Sequence, residues 1–170
     1  MKRFKNVFLV LLLSVAVVAC NKSDDDGGDG GGAAEGTVTA KVDGANFTSM
    51  SIATTAVQTT AGGVTTLRIQ GSDADGKGII LTITGFDGTG SYDVGGGADI
   101  FTNAIYVEAN VSNPTDSQSW MAPFDESVAG EINISEINET NVTGTFSFTG
   151  KNSNDDSTKN ITEGAFNANF

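Results

Sequence analysis

Short runs of alternating apolar and polar residues, separated by Gly, Asn and Asp, fill the chain from residue 37 to residue 170. Successive side chains of a strand point to opposite faces, so this alternation predicts strands that bury one face. Turn residues recur about every 8 to 12 positions, which is typical of all-β sandwiches and barrels. The sequence therefore predicts a single all-β domain, an antiparallel β-sandwich with a β-barrel as the alternative.

The buried face of each strand can be inferred from the spacing of its apolar residues. Val38, Ala40 and Val42 lead into Asp43-Gly44, a favoured hairpin turn. Ile137 falls out of step with the strand before it, which predicts a bulge or a strand end. The other apolar alternations are Leu67 and Ile69; Ile79, Leu81 and Ile83; Phe101, Ile105, Val107, Ala109 and Val111; Ile132 and Ile134; Phe146 and Phe148; and Phe166, Ala168 and Phe170.

The amino-terminal residues have the pattern of a lipoprotein signal peptide. A basic start is followed by an apolar run over residues 7–18, and the small Ala19 precedes Cys20. The run is shorter than the roughly 20 apolar residues that a spanning helix needs. We therefore expect residues 1–19 to be removed and Cys20 to carry acyl chains as a membrane anchor. The alternative is an uncleaved anchor in which Cys20 has no role.

Residues 20–36 combine the lipidated cysteine with an acidic, glycine-rich stretch that predicts a disordered tether. Within this tether, a short acidic motif resembles the export signal that Bacteroidota lipoproteins use to reach the outer face of the outer membrane. The resemblance implies display on the cell exterior, with the periplasmic face as the alternative. The matching residues are Lys22, Ser23, Asp24, Asp25 and Asp26.

Charge and missing residue types exclude several functions. The net charge of −12 makes nucleic acid and anionic headgroups poor partners. The chain has no His, which excludes Ser-His-Asp and Cys-His catalysis and His-ligated zinc. Lipidation would consume the only thiol, Cys20, and would leave no disulfide. These absences argue against an enzyme.

The last third of the sequence resembles a known family. The resemblance is carried by residues 130–134 (GEINI), 142–148 (VTGTFSF) and 161–166 (ITEGAF). The start of the predicted domain is also similar, at Ala40, Val42, Asp43-Gly44 and Phe47. These runs are similar to an uncharacterised lipoprotein family of Bacteroidota, a domain of unknown function. The resemblance implies an antiparallel β-sandwich on a lipid anchor and assigns no activity.

A short acidic run resembles a calcium loop. Asp73 and Asp75 could offer carboxylate oxygens within one tight turn, which hard cations prefer. Lys77 and Thr84 stand where an EF-hand needs further oxygen ligands, however. The favoured interpretation of this run is a plain hairpin turn. Calcium is the one cofactor that the sequence does not exclude.

Scattered acids could in principle form the carboxylate pair of a glycoside hydrolase. The sequence does not say which of them converge, and a solvated surface is the plainer reading. The candidate acids are Asp93, Asp99, Glu108, Asp125 and Glu126.

Residues 95–97 are three glycines without the Gly-Lys-Ser/Thr of a phosphate loop, so they predict an ordinary loop.

Residues 117–127 hold the only Trp of the chain within what looks like a polar loop. Trp120, with Met121 and Phe124, could form an exposed platform for a sugar ring or a protein partner. More often a lone Trp closes one open end of a sandwich, and we favour that interpretation. Trp120, Met121 and Phe124 are nevertheless the candidate ligand-binding residues.

Two functional hypotheses follow from these features. The first is a membrane-anchored, non-enzymatic binding or structural module that contacts a glycan or another envelope protein. The second is a carboxylate-dependent glycan-active enzyme or a calcium-binding surface lipoprotein. The absence of His and of any nucleophile motif favours the first.

Overall fold

The structure is one antiparallel sheet curled into a half-barrel. The computed structural model describes residues 32–97 and 102–170. The predicted all-β fold is confirmed. Within these two ranges the only helical segments are the 3₁₀ turns Ser51–Ala53 and Pro114–Asp116. The strands are β1 (Thr37–Val42), β2 (Ala45–Thr48), β3 (Thr54–Ala61), β4 (Val64–Ser72), β5 (Lys77–Thr84), β6 (Gly90–Gly95), β7 (Thr102–Glu108), β8 (Gln118–Ala122), β9 (Val128–Ile137), β10 (Asn141–Lys151) and β11 (Thr158–Asn169).

Strand β10 joins two halves of the sheet. Its amino-terminal part pairs with β9 on one side and β11 on the other, whereas Lys151 at its end pairs with Met121 of β8. The order runs β2-β1-β11-β10-β8-β7-β5-β4-β3, and β9 and β6 branch from β10. We call β1, β2, β6, β9, β10 and β11 the β10 half, and β3, β4, β5, β7 and β8 the β5 half.

The core lies between the two halves. Most strands contribute alternate apolar residues to it, as the patterns of β1, β4 and β5 predict. The largest fully buried side chains include Tyr106, Phe166 and Leu67. In the described ranges, no buried side-chain nitrogen or oxygen lacks a hydrogen-bond partner. The sheet is therefore filled by packed side chains on its concave side.

Three glycines of the β10 half lie directly opposite phenylalanines on the neighbouring strand. Gly130 pairs with Phe148, Gly144 with Phe166, and Gly164 with Phe146. A Cβ on Gly144 would collide with the Asn133 carbonyl oxygen and the Phe166 ring. These glycines thus allow the backbones and the rings to approach closely. The glycine and phenylalanine pattern of the last third of the sequence is a packing pattern.

Several predictions about single strands are confirmed. Asp43 and Gly44 form the turn between β1 and β2, with φ of 49° and 83°. The Asp43 carboxylate accepts a hydrogen bond from the Asn160 N–H at 2.9 Å and forms an ion pair with Lys159 Nζ at 3.0 Å. These two contacts lower the pKa of Asp43. Ile137 follows a register shift in the pairing of β9 with β10, as its phase predicts.

The predicted phase of β7 is wrong. The residues that it buries are Thr102, Ala104 and Tyr106, whereas Ile105 and Val107 point outward and are half-buried. The strand also ends at Glu108, before Val111, which is exposed. Phe101, the first residue of the predicted set, lies outside the described residues. Because β7 is apolar on both faces, alternation alone could not identify its buried side.

Candidate functional site

Trp120 lies in strand β8 and points into the core of the half-barrel. Its side chain is only 5% exposed, and its ring packs against Tyr106 with 5.7 Å between centroids. Nε1 donates a hydrogen bond to Ser157 Oγ at 2.9 Å, and Lys159 Nζ lies 5.3 Å from the ring centre. The expected loop over residues 117–127 is thus partly a strand, and the buried ring offers no exposed stacking platform.

The loop between β10 and β11 covers Trp120. Asn152 is buried, and its Oδ1 accepts the Asn154 N–H at 2.8 Å. Its Nδ2 donates to Gln118 Oε1 at 2.7 Å. These bonds hold the loop that carries Ser157 against β8. The surroundings of Trp120 therefore form a satisfied structural cluster.

Met121 and Phe124 are both exposed, unlike Trp120. Met121 points to the opposite face of β8 from Trp120, because adjacent residues of a strand alternate. Phe124 follows the end of β8 and is 43% exposed. The structure therefore separates the three predicted ligand-binding residues, and only Met121 lies on a regular sheet surface.

The outward-facing residues of the β5 half form one continuous surface, which we call the outer face. Its central row crosses five strands. The row combines polar groups near β3 with apolar side chains toward β8 and places the half-buried isoleucines beside exposed Met121. In order across the strands, its residues are Thr55, Gln70, Ile80, Ile105 and Met121.

A second row of the outer face contains its one central cation. Val57, Arg68, Thr82 and Asn103 lie side by side on β3, β4, β5 and β7. Arg68 is exposed and borders a groove of about 270 Å³. The groove is lined by Thr55, Val57, Thr59, Thr66, Arg68 and Gln70.

The outer face carries no carboxylate, although the chain is strongly acidic. Strands β3, β4, β5 and β8 contain no Asp or Glu, and Glu108 of β7 accepts a hydrogen bond from the inward Tyr106 at 2.9 Å. The β10 half, by contrast, carries both carboxylates and lysines on its strands. There Asp93 lies directly opposite Glu131. The two halves of the sheet therefore differ in the carboxylates that their strands carry.

No hydrogen bond joins two of the candidate acids that lie in the described ranges. Asp125 accepts hydrogen bonds from Ser127 in its own loop, which lower its pKa. Asp93 and Glu131 are neighbours on an exposed sheet surface. Asp99 lies outside the described residues. Over residues 32–97 and 102–170, no three His, Cys, Asp or Glu side chains are grouped as metal ligands.

The predicted calcium loop is a hairpin turn between β4 and β5. Asp73 Oδ1 accepts the N–H of Asp75 at 2.9 Å and that of Lys77 at 2.8 Å. One carboxylate oxygen is therefore engaged by the turn itself. Calcium binding by Asp73 and Asp75 remains a prediction.

A second cleft lies where β6 passes the start of β7. Gly95, Gly96 and Gly97 line it together with Asp93 and Thr102, and its volume is about 450 Å³. The predicted loop at these glycines is thus partly the end of β6. The cleft borders residues 98–101, which lie outside the described ranges, and it offers one carboxylate and no cation.

Sequence reasoning missed Arg68, Ile80 and Ile105 as surface residues of one site. Alternation indicated the inward residues of β4 and β5 correctly, but cross-strand register determines which outward residues become neighbours. One signal was available in the sequence. The segment from β3 to β5 has acids only in its turn, at Asp73 and Asp75.

Cys20 and the proposed export signal, Lys22 to Asp26, lie outside the described residues. Just before β1, the Gly36 N–H donates a hydrogen bond to the Asn167 carbonyl at 2.7 Å. No helix in the described ranges is long and apolar enough to span a membrane.

Fold and surface define this part of the chain as an all-β half-barrel domain with a carboxylate-free sheet face. A family profile described as "Domain of unknown function (DUF6252)" matches residues 34–168. The chain therefore belongs to this DUF6252 family. No curated protein and no solved structure matches the chain.

Proposed function

We propose that this protein is a lipid-anchored envelope lipoprotein that binds a partner protein through its outer face and has no catalytic role. The carboxylate-free outer face is the observation that carries the proposal. The centres of protein interfaces are depleted of charged residues and often contain Arg and Met. The outer face has this composition around Arg68 and Met121, whereas strands of the β10 half carry carboxylates.

A protein partner fits the outer face better than a glycan does. Sugar rings are commonly bound by stacking on exposed aromatic side chains. Tyr106 and Trp120, the aromatic residues of β7 and β8, both point inward. The outer face instead offers hydroxyl and amide groups beside Ile80, Ile105 and Met121. Such a surface suits a partner that presents both apolar side chains and backbone groups.

The anchor is inferred from the sequence. The apolar run over residues 7–18 followed by Ala19-Cys20 supports signal cleavage and lipidation. Residues 22–26 support export to the outer face of the outer membrane in a bacterium of the Bacteroidota. The acidic, glycine-rich sequence after Cys20 is typical of a tether, which would hold the domain away from the bilayer.

The anchor is tested by replacing Cys20 with serine in the full chain. We expect the wild-type protein in the membrane fraction, with a mature mass that begins at acylated Cys20, and the Cys20→Ser variant in the soluble envelope fraction. As a matched control, alanine at residues 24–26 should preserve membrane attachment but protect the protein from protease added to whole cells. A wild-type product that retains Met1 or a free thiol would refute the anchor.

The outer face is tested by photo-cross-linking in producing cells. A benzoylphenylalanine at Met121 should give a discrete protein adduct, because this residue is exposed beside the apolar part of the outer face. The same group at Thr145, exposed on the β10 half, should give none. Adducts at both positions, or at neither, would contradict the proposal. An adduct that only a glycosidase removes would show that the partner is a glycan and would also contradict it.

A further inference from the structure

Strand β3 forms the least protected edge of the sheet. It has eight residues and pairs only with β4 within the described part of the chain. Residues 57–61 are all exposed, and the strand contains no charged residue and no proline. Proteins usually protect edge strands by charge, proline or short length. The other edges have such protection, because β2 has four residues and β6 carries Asp93.

The free edge presents specific backbone groups. Gly62 and Gly63, with φ of 60° and 82°, form a two-residue hairpin turn, so Ala61 and Val64 exchange hydrogen bonds. Bonded and non-bonded pairs alternate along an antiparallel ladder. Gln58 and Thr60 therefore direct their N–H and C=O groups away from β4.

An independent contact supports this assignment. Thr65 lies opposite Thr60, and its carbonyl accepts the N–H groups of Gly85 and Phe86 at 2.8 and 2.9 Å. The Thr65 carbonyl thus points away from β3, as it must in a non-bonded pair. The Thr60 and Thr65 side chains meet instead, with their Oγ1 atoms 3.0 Å apart.

We infer that the free edge of β3 pairs antiparallel with β3 of a second copy of this chain, with Thr59 of each copy on the twofold axis. In this register Gln58 of one copy exchanges two backbone hydrogen bonds with Thr60 of the other. The twofold axis repeats this pair between Thr60 of the first copy and Gln58 of the second. Two threonines directly opposite each other are a favourable cross-strand pair. The two outer faces then join into one surface.

Charge favours a second copy at this edge. Two chains of net charge −12 repel each other over most of their surfaces. Neither β3 nor β4 carries a carboxylate, so repulsion between two copies is weakest along this edge. The start of β3 lies beside β11, where Thr55 Oγ1 contacts the Asn169 carbonyl at 3.5 Å. Pairing is therefore confined to residues 57–61, which the proposed register uses.

The test introduces one cysteine into the full chain produced in bacterial cells. Thr59→Cys should form a disulfide dimer under mild oxidation, because residues of a non-bonded antiparallel pair lie about 4.5 Å apart at Cα, within disulfide range. Gln58→Cys is the matched control, since the two Gln58 residues would be diagonal neighbours about 7–8 Å apart. We expect about tenfold more dimer from Thr59→Cys than from Gln58→Cys.

A second variant keeps the test independent of folding. Gln58→Pro removes an N–H that points away from β4, so the hairpin should persist while dimer formation by Thr59→Cys is lost. Circular dichroism of the purified double variant checks the fold. Equal cross-linking at both cysteines, or none at Thr59, would overturn the inference. A disulfide adduct with a different protein would assign the edge to another partner and would also overturn it.

Discussion

Replacement of Trp120 by alanine is expected to lower the free energy of unfolding by about 3–5 kcal/mol, the usual range for truncation of a buried large aromatic residue. The ring is 5% exposed and packs against Tyr106. Its loss also leaves Ser157 without the Nε1 donor. Urea unfolding monitored by far-ultraviolet circular dichroism measures the change. Tryptophan fluorescence cannot be used, because Trp120 is the only Trp of the chain and the variant lacks it.

Two controls separate the ring from its hydrogen bond. Trp120→Phe keeps an aromatic ring against Tyr106 and should cost clearly less than alanine. Ser157→Ala removes the acceptor of the Nε1 hydrogen bond, together with the side-chain contact of Ser157 to Asp155, and should cost about 1 kcal/mol. If Trp120→Ala unfolds at the same urea concentration as the wild type, Trp120 does not stabilise the core and the interpretation of this cluster is wrong.

Gly144→Ala is expected to destabilise the domain by about 3 kcal/mol or more, at the upper end of the range for overpacking. The added Cβ would meet a backbone oxygen, that of Asn133, as well as the Phe166 ring. A side chain could rotate away, but the carbonyl is held in the ladder between β9 and β10. Thermal and urea unfolding of the purified domain measure the effect.

The matched control for Gly144 lies on the same strand. Ser147 points outward from β10 and is exposed, so Ser147→Ala should change stability by less than about 0.5 kcal/mol. Wild-type stability of Gly144→Ala would mean that β9 and β10 are farther apart than the structure places them. The close approach of Gly144 to Phe166 would then be wrong as well.

Much of the fold could be predicted because most strands bury only one face. Val38, Ala40 and Val42 show their inward phase directly, and Asp43-Gly44 marks the turn that follows. Strand β7 could not be assigned in this way, because Ile105 is as apolar as the inward Tyr106. Ile105 is half-buried on the outer face. Its burial depends on the neighbouring strands rather than on the local sequence.

The candidate site was less predictable than the fold. Trp120 is buried, which agrees with the expectation that a lone Trp packs inside the fold rather than forming an exposed platform. Met121 was grouped with it, but adjacent residues of a strand point in opposite directions. The outer face exists only when Arg68, Thr82 and Ile105 are brought together across β4, β5 and β7. Local patterns contain no such register.

The position of β10 has a consequence for how the molecule comes apart. This strand bonds to β9, β11 and β8, so neither half of the sheet can detach without breaking its ladder. Separate melting of one half would also expose the apolar side chains that the other half covers. The domain should therefore behave as one cooperative unit, in which the amides of β10 exchange with solvent only when the whole molecule opens.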